Sequence, residues 1–353
     1  MFENKDQSKT PITDLGEFGL IKHLTSANKK VNATTVMAVG DDAAVIENTQ
    51  EQTLISTDML VEGVHFDLSY APLKHLGYKA VAVNLSDICA MNAIPSQITV
   101  SLALSNRFTV EAVEELYKGI YLACDTYGVD LVGGDTTSSN AGLIISVSVI
   151  GQAKSVDICY RHMAKEKDLL VVSGDLGAAY MGLQLLQREK AVFEVNPNMQ
   201  PELEERHSYM LERQLKPEAR KDIVELLSKM DLKPSAMIDV SDGLSSEVLH
   251  LCEDSGLGCR VYEEKLPIDP QVVNTAEEFG LHHSTCALNG GEDYELLFTI
   301  SMDDFDKIKG NPHLTVIGHM TAKEDGANLV SSAGEILPLT AQGWNSISEE
   351  VEK

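Results

Sequence analysis

Basic residues are scarce in this chain of 353 residues, where 28 Lys and Arg stand against 54 Asp and Glu and leave a formal net charge of −26. That balance excludes a sequence-independent grip on a nucleic-acid backbone, which needs a cationic surface. No Gly-Lys dipeptide occurs, so there is no P-loop, and a G-x-G-x-x-G fingerprint and a kinase catalytic loop are also missing. The six cysteines, at 89, 124, 159, 252, 259 and 286, include no close pair of the kind that builds a zinc knuckle or a redox dithiol. They read as buried thiols in a reducing compartment. No apolar run reaches the roughly 18 residues of a membrane span, and the polar start "MFENKDQSKTPITD" lacks the apolar stretch of a signal peptide. The expectation is a cytoplasmic protein with neither a membrane nor a nucleic-acid partner.

The chain does have enough apolar residues, 43% of the total, for a sizeable core. This length ordinarily divides into two domains. Much of the acidity needs no ligand, since "EAVEELYKGI" and the tail "SEEVEK" read as solvated helix faces. Residues 12–26 read as a short helix and 36–66 as strands around the polar loop "ENTQEQ". "LKHLGYKAVAVNLSDICAMNA" is Ala-rich and reads as a buried helix, and "SQITVSLALS" alternates as a strand. From Thr109, an N-cap, the residues Val113, Leu116, Tyr117, Ile120, Tyr121 and Cys124 make a helical stripe ending at Gly128. The strands "VDLVGG" and "GLIISVSVIG" follow. The polar segment after them sets a domain boundary near 153, giving domains 1–152 and 153–353. In the second, "DLLVVSG" reads as a strand feeding a helix at "DLGAAYMGLQLL". The connection 190–216 reads as surface loop around a short helix. "SAMIDVSDGLSSEVLHLCEDSGLG" reads as strand, sharp turn and a helix with Leu244, Val248, Leu251 and Cys252 on one side, closed by Gly256.

The placement of Asp carries the chemistry. Asp41 and Asp42 follow Gly40, Asp58 ends the strand "LISTD", Asp87 lies in the Ala-rich helix, Asp135 follows "VGG", and Asp239 and Asp242 flank the turn "DVSDG". Any one of these is an ordinary turn or cap residue. Together they occupy element ends and an apolar segment, where carboxylates are costly unless something positive neutralises them, and most have no Lys or Arg beside them. A hard divalent cation such as Mg²⁺ takes one or two carboxylates per ion and keeps phosphates and water as its other partners. Ser56 and Thr57, beside Asp58, add oxygens of the same hardness. The natural ligand class is therefore a phosphate bound through metals. "SGDLGAAYMG" imitates a phosphate-binding loop, although Gly and Ala at a strand-to-helix turn more often serve close packing.

The motifs "VGDDAAVI", "STDMLVEGVHF", "AVNLSDICAMNAIP", "LVGGDTT", "IDVSDGL" and "NGGEDYELLFT" are similar in order and spacing to those of the thiamine-monophosphate kinase family. That family belongs with aminoimidazole ribonucleotide synthetase and selenophosphate synthetase. The resemblance runs from about residue 14 to 345. It lacks the reactive Cys or selenocysteine of selenophosphate synthetase and the terminal cysteine of the hydrogenase-maturation relative. It implies an α+β fold, with an N-terminal sheet that pairs across a homodimer into a barrel and a C-terminal mixed sheet covered by helices. It also implies ATP-dependent phosphorylation of thiamine monophosphate to thiamine diphosphate. By motif position, Asp41, Asp58, Asp87, Asp135, Asp239 and Asp242 correspond to Mg²⁺ ligands, with Ser56 and Thr57 assisting. Tyr117, Gly134, Asp135, Arg161 and Ser241 correspond to ATP contacts, and His65, Glu292 and Trp344 to contacts with thiamine monophosphate. No residue is assigned as a covalent nucleophile or general base. The role of Asp42 stays open between a turn hydrogen bond and support of a ligand.

Each contact has a plainer alternative. His65, on an apparent strand, suits a satisfied structural histidine. Tyr117 lies on the apolar stripe and suits core as well as the side of a nucleotide. Arg161 suits a surface charge as well as a phosphate partner, and Trp344 an anchor as well as a stacking platform. The end "GWNSI" shares only its glycine-aromatic pair with the family pattern. A metal-dependent phosphohydrolase, a silent nucleotide-binding scaffold and an aminoimidazole ribonucleotide synthetase are the competing functions.

Overall fold

The computed structural model describes residues 23–29, 31–37, 45–46, 51–196 and 204–341. Of the helix expected over 12–26, residues 23–25 are helical, and its earlier part lies outside the described residues. So do Asp41, Asp42 and Trp344. The chain divides into two compact units. One holds the described residues up to Ile88 together with Ile94–Lys154, and the other holds Cys89–Ala93 with the described residues from Ser155 onward.

In the first unit β1 (Thr35–Met37) and β2 (Val45–Ile46) form an antiparallel pair. A four-stranded sheet is built from β3 (Gln52–Val61), then, after helix α1 (Leu73–Ala90), β4 (Ile94–Leu104), and, after helix α2 (Val110–Tyr127), β5 (Asp130–Ser138) and β6 (Ile144–Ala153). Its order is β3-β6-β4-β5, with β4 and β5 parallel and the other pairs antiparallel. Parallel neighbours need a crossover, which α2 supplies. Thr109 caps α2 by accepting from the Ala112 N–H, and Gly128 closes it in the left-handed region at φ 65°. The stripe expected on α2 is buried at Val113, Leu116, Tyr117, Ile120 and Cys124. Full burial of such a side chain stabilises by about 1.5–3 kcal/mol. The two helices meet backbone to backbone, because a Cβ at Gly77 would lie 2.0 Å from the Leu116 carbonyl and one at Gly119 1.8 Å from that of Lys74.

The two faces of this sheet differ. Ile98, Val100 and Leu102 pair with Val149, Val147 and Ile145 on a buried apolar face. The pleat turns Thr57, Thr99, Ser101, Ser146 and Ser148 to the other face, where Ile55 and Met59 are 71% and 54% exposed.

The second unit runs β7 (Leu169–Ser173), α3 (Ala178–Val195), α4 (Ser208–Leu215), α5 (Lys221–Lys229), β8 (Ala236–Asp239), α6 (Leu244–Ser255), β9 (Gly258–Tyr262), α7 (Pro270–Glu278), α8 (His283–Asn289), β10 (Leu296–Ile300), α9 (Phe305–Ile308), β11 (Leu314–Thr321), β12 (Ala327–Val330) and β13 (Ile336–Pro338). Its seven-stranded sheet has the order β13-β12-β9-β11-β7-β10-β8 and is mixed, with β9 and β12 parallel. Helices cover both faces, which explains the unbroken apolar runs in β7 and β10. Leu170, Val172, Ile238 and Leu297 pack with Leu244, Val248 and Leu251 of α6, while Val171, Met237 and Phe298 pack with Ile223, Val224 and Leu227 of α5.

The connection 190–216 departs from the expected surface loop. Helix α3 continues to Val195, and α4 buries Met210, Arg213 and Gln214. A Cβ at Gly182 would lie 2.1 Å from the Met210 carbonyl, so the glycine permits the close seat of α4 on α3. Polarity misleads here because the Arg and Gln are buried with partners of their own. All six cysteines are free and buried, and no helix among the described residues is long and apolar enough to cross a membrane.

Candidate functional site

In the first unit α1 supplies polar groups to the covered face of the sheet. The Asp58 backbone N–H donates to Asn84 Oδ1 at 2.8 Å, and Asn84 Nδ2 donates to the Ala80 carbonyl at 2.9 Å, so one buried amide joins strand to helix. Ser56 Oγ donates to Asp87 Oδ2 at 2.6 Å. The structure thus brings Ser56 and Asp87 into contact and sets Asp58 against the same helix. Thr57 points to the opposite face, where its hydroxyl donates to the Val147 carbonyl and accepts from Ser148, each at 3.0 Å.

Asp135 stands apart from this group. Register carries Asp58 through Val147 and Val100 to Gly134, so Asp135, paired with Ser101, falls on the open face and is exposed. An irregularity between Ile98 and Thr99 shifts β5 at that point. Gly134 is required by the backbone, since a Cβ there would lie 1.9 Å from the Val100 carbonyl.

His65 lies in a turn, not on a strand. Gly63 takes φ 80°, and the segment folds back so that the Val61 N–H donates to His65 Nδ1 at 3.1 Å. An accepting Nδ1 in a neutral ring places the proton on Nε2. Tyr117 is buried in the helical stripe with its ring 5.9 Å from that of Tyr121, and burial pushes its hydroxyl up to about 12.

In the second unit the end of β8 and the turn before α6 carry Asp239, Ser241 and Asp242. Asp239 is buried and pairs with Leu296. Glu247, one turn into α6, gathers the turn: its Oε1 accepts from the Ser241 N–H at 3.3 Å, the Ser241 hydroxyl at 3.2 Å and the Asp242 N–H at 2.9 Å. Glu247 is 2% exposed, and burial pushes its carboxyl up to about 7. Burial also raises Asp242, with nearby His250 opposing and Glu292 reinforcing the shift. Arg161 opens a short 3₁₀ turn at the surface, and its carbonyl accepts from Ser255 at 3.0 Å.

The segment "NGGEDYELL" packs against that turn. Gly291, Glu292 and Tyr294 have φ of 70°, 60° and 52°. Two side-chain-bearing residues in the left-handed region mark a strained loop of the kind found at functional sites. The surroundings hold it there: the Glu292 N–H donates to the Ser241 carbonyl at 2.7 Å and the Tyr294 N–H to that of Val240 at 2.8 Å. Gln214 Nε2 donates to Glu292 Oε2 at 2.7 Å.

The next acids turn inward. Asp293 caps α3, accepting from the Gly177 and Ala179 N–H groups at 2.8 and 3.4 Å. The glycine-rich turn that imitates a phosphate loop therefore holds an internal carboxylate at its helix N-terminus, and burial pushes that carboxyl up to about 7. Glu295, 1% exposed, takes Arg213 Nη2 at 2.9 Å on Oε1, and Arg220 together with Ser173 on Oε2. Arg213 also donates to the Asp293 carbonyl at 3.0 Å. Glu247, Asp293, Glu295, Arg213 and Arg220 escape a motif reading that stops at Asp239, Asp242 and Glu292. The alternation of acids in "EDYEL" was the available signal.

Every donor at the predicted metal positions is an oxygen of a carboxylate or hydroxyl. Among the described residues, no three His, Cys, Asp or Glu side chains form a group that could hold a metal ion.

Residues 40–153, which hold the four-stranded sheet and its acid-bearing helix, match the family described as AIR synthase related protein, N-terminal domain. The thiamine-monophosphate kinase of Bacillus subtilis is 34% identical over 338 residues, covering 94% of this chain and 99% of the relative. That of Aquifex aeolicus is 35% identical over 335 residues, covering 94% and 98%. The chain belongs to the thiamine-monophosphate kinase family. A solved structure of AaThiL complexed with AMPPCP and TMP is similar with a TM-score of 0.74 at 33% identity, covering 97% of this chain and all of that one, 100%.

Proposed function

We propose that the chain transfers the γ-phosphoryl group of ATP to thiamine monophosphate, giving thiamine diphosphate and ADP, as the last step of thiamine diphosphate biosynthesis. The observation that carries this is the end-to-end similarity to AaThiL complexed with AMPPCP and TMP, over 97% of this chain and 100% of that one.

The acceptor is a phosphate monoester whose second pKa is about 6, so near neutral pH it is already mostly dianionic and needs no strong general base. The obstacle is repulsion between two polyanions. The all-oxygen donors fit Mg²⁺ in kind. In this reading Asp41, Ser56, Thr57, Asp58, Asp87, Asp135, Asp239 and Asp242 hold several Mg²⁺ ions, which when bound supply positive charge to the phosphates. Asn84 keeps the Asp58 backbone in place, Ser56 orients Asp87, and Glu247 shapes the turn bearing Ser241 and Asp242. Tyr117, Gly134, Asp135, Arg161 and Ser241 serve ATP. His65, with Nε2–H available as a donor, serves thiamine monophosphate together with Glu292 and Trp344. The transfer is direct and in line.

The chain acts as a homodimer in this reading, two open sheet faces pairing into a barrel, and the exposure of Ile55 and Met59 supports that assembly. Six free buried thiols support a cytoplasmic location.

Incubating the purified protein with ATP, Mg²⁺ and thiamine monophosphate and separating the products by chromatography tests the reading. Thiamine diphosphate and ADP should form in equal amounts. ADP with inorganic phosphate and no thiamine diphosphate would make the protein a phosphohydrolase.

A further inference from the structure

We propose that Gln214 is a positioning residue that aims the Glu292 carboxylate at thiamine monophosphate, and that α4 is thereby a working part of the substrate site. The inference rests on the reading of Glu292 as a substrate contact. Three neighbouring acids on the strained loop meet different fates. Asp293 is consumed by the N-terminus of α3, and Glu295 by Arg213 and Arg220. Glu292 meets the amide of Gln214 instead, at 2.7 Å. An amide N–H fixes the direction of the carboxylate oxygen it meets.

The Gln214 side chain is buried and closely packed. Gln214 is 6% exposed, and Gly182 on α3 makes room for it, since a Cβ at that glycine would lie 2.9 Å from the Gln214 Cβ. Its neighbour Arg213 grips the same loop at the Asp293 carbonyl and Glu295. Two consecutive residues of one helix thus set both the backbone of the loop and the direction of its outermost acid.

Steady-state kinetics on wild type, Gln214→Met, Glu292→Ala and the double variant test this. Met keeps the length and removes the donor. Gln214→Met should raise KM for thiamine monophosphate about tenfold, the scale of one lost hydrogen bond to a charged group, and leave KM for ATP unchanged. In the Glu292→Ala background it should add nothing. Gln214→Leu serves as a second donor-free variant should Gln214→Met fold poorly. An unchanged KM for thiamine monophosphate in Gln214→Met, alongside a raised one in Glu292→Ala, overturns the positioning role and leaves Glu292 in place. The same rise in both backgrounds also overturns it. A Glu292→Ala enzyme with unchanged KM for thiamine monophosphate removes the reading of Glu292, and the proposal with it.

Discussion

Replacing Asp87 with Asn should lower kcat by about a hundredfold or more while shifting stability by no more than about 1 kcal/mol. The first figure is the scale on which removing one preorganised charged or polar group slows an enzyme. The second follows from the contacts. Asp87 Oδ2 accepts from Ser56 at 2.6 Å, and an Asn oxygen keeps that acceptor and the side-chain shape. The residue is half-buried, between the fully buried Ser86 and Ile88, and Asn is close to isosteric with Asp, so the packing of the helix is kept. Comparing kcat with the thermal unfolding midpoint of the same preparation separates the two effects. An unchanged rate would remove Asp87 from the phosphoryl-transfer machinery.

Replacing Glu295 with Ala should cost about 3–5 kcal/mol of stability, because it leaves Arg213 and Arg220 buried without the carboxylate that both of them share. The loop bearing Glu292 sits on this network, and the backbone has adapted to it: a Cβ at Gly174 would lie 2.3 Å from Glu295 Oε1. Urea unfolding reads the loss directly. A midpoint within error of wild type would mean that the two guanidinium groups find other partners and that the network does not brace the loop. Replacing Glu295, Arg213 and Arg220 together by apolar residues should cost less than removing Glu295 alone, since no unpaired charge remains buried.

Local signals were legible wherever one element decides its own form. Thr109 and Gly128 delimit α2 as their types dictate, the Ala-rich run forms α1, and the alternation in "SQITVSLALS" forms β4. A short helix within 190–216 was legible, but the burial of α4 was not, because Arg213 and Gln214 are buried by acids about eighty residues away in sequence. The face of Asp135 was hidden by a register shift that no alternation pattern records. His65 was misplaced on a strand because Gly63 turns the chain only two residues before it. The carboxylates were easy to find by position, but their partners Asn84 and Glu247 were not, since a polar residue inside a helix shows its use only when the neighbouring strand or turn is in place.

In the proposed reaction the phosphoryl group passes directly between two phosphates, with carboxylates as metal ligands and no side chain acting as nucleophile. The stereochemical course of the γ-phosphoryl group tests it most directly. With ATP made chiral at its γ-phosphorus by oxygen isotopes, one in-line displacement forms the bond from a thiamine monophosphate oxygen to phosphorus. In the same step it breaks the bond to the β,γ-bridging oxygen, which leaves with ADP. Thiamine diphosphate should therefore carry the phosphoryl group with inverted configuration. Retention would require two displacements through a phosphorylated side chain and would contradict direct transfer.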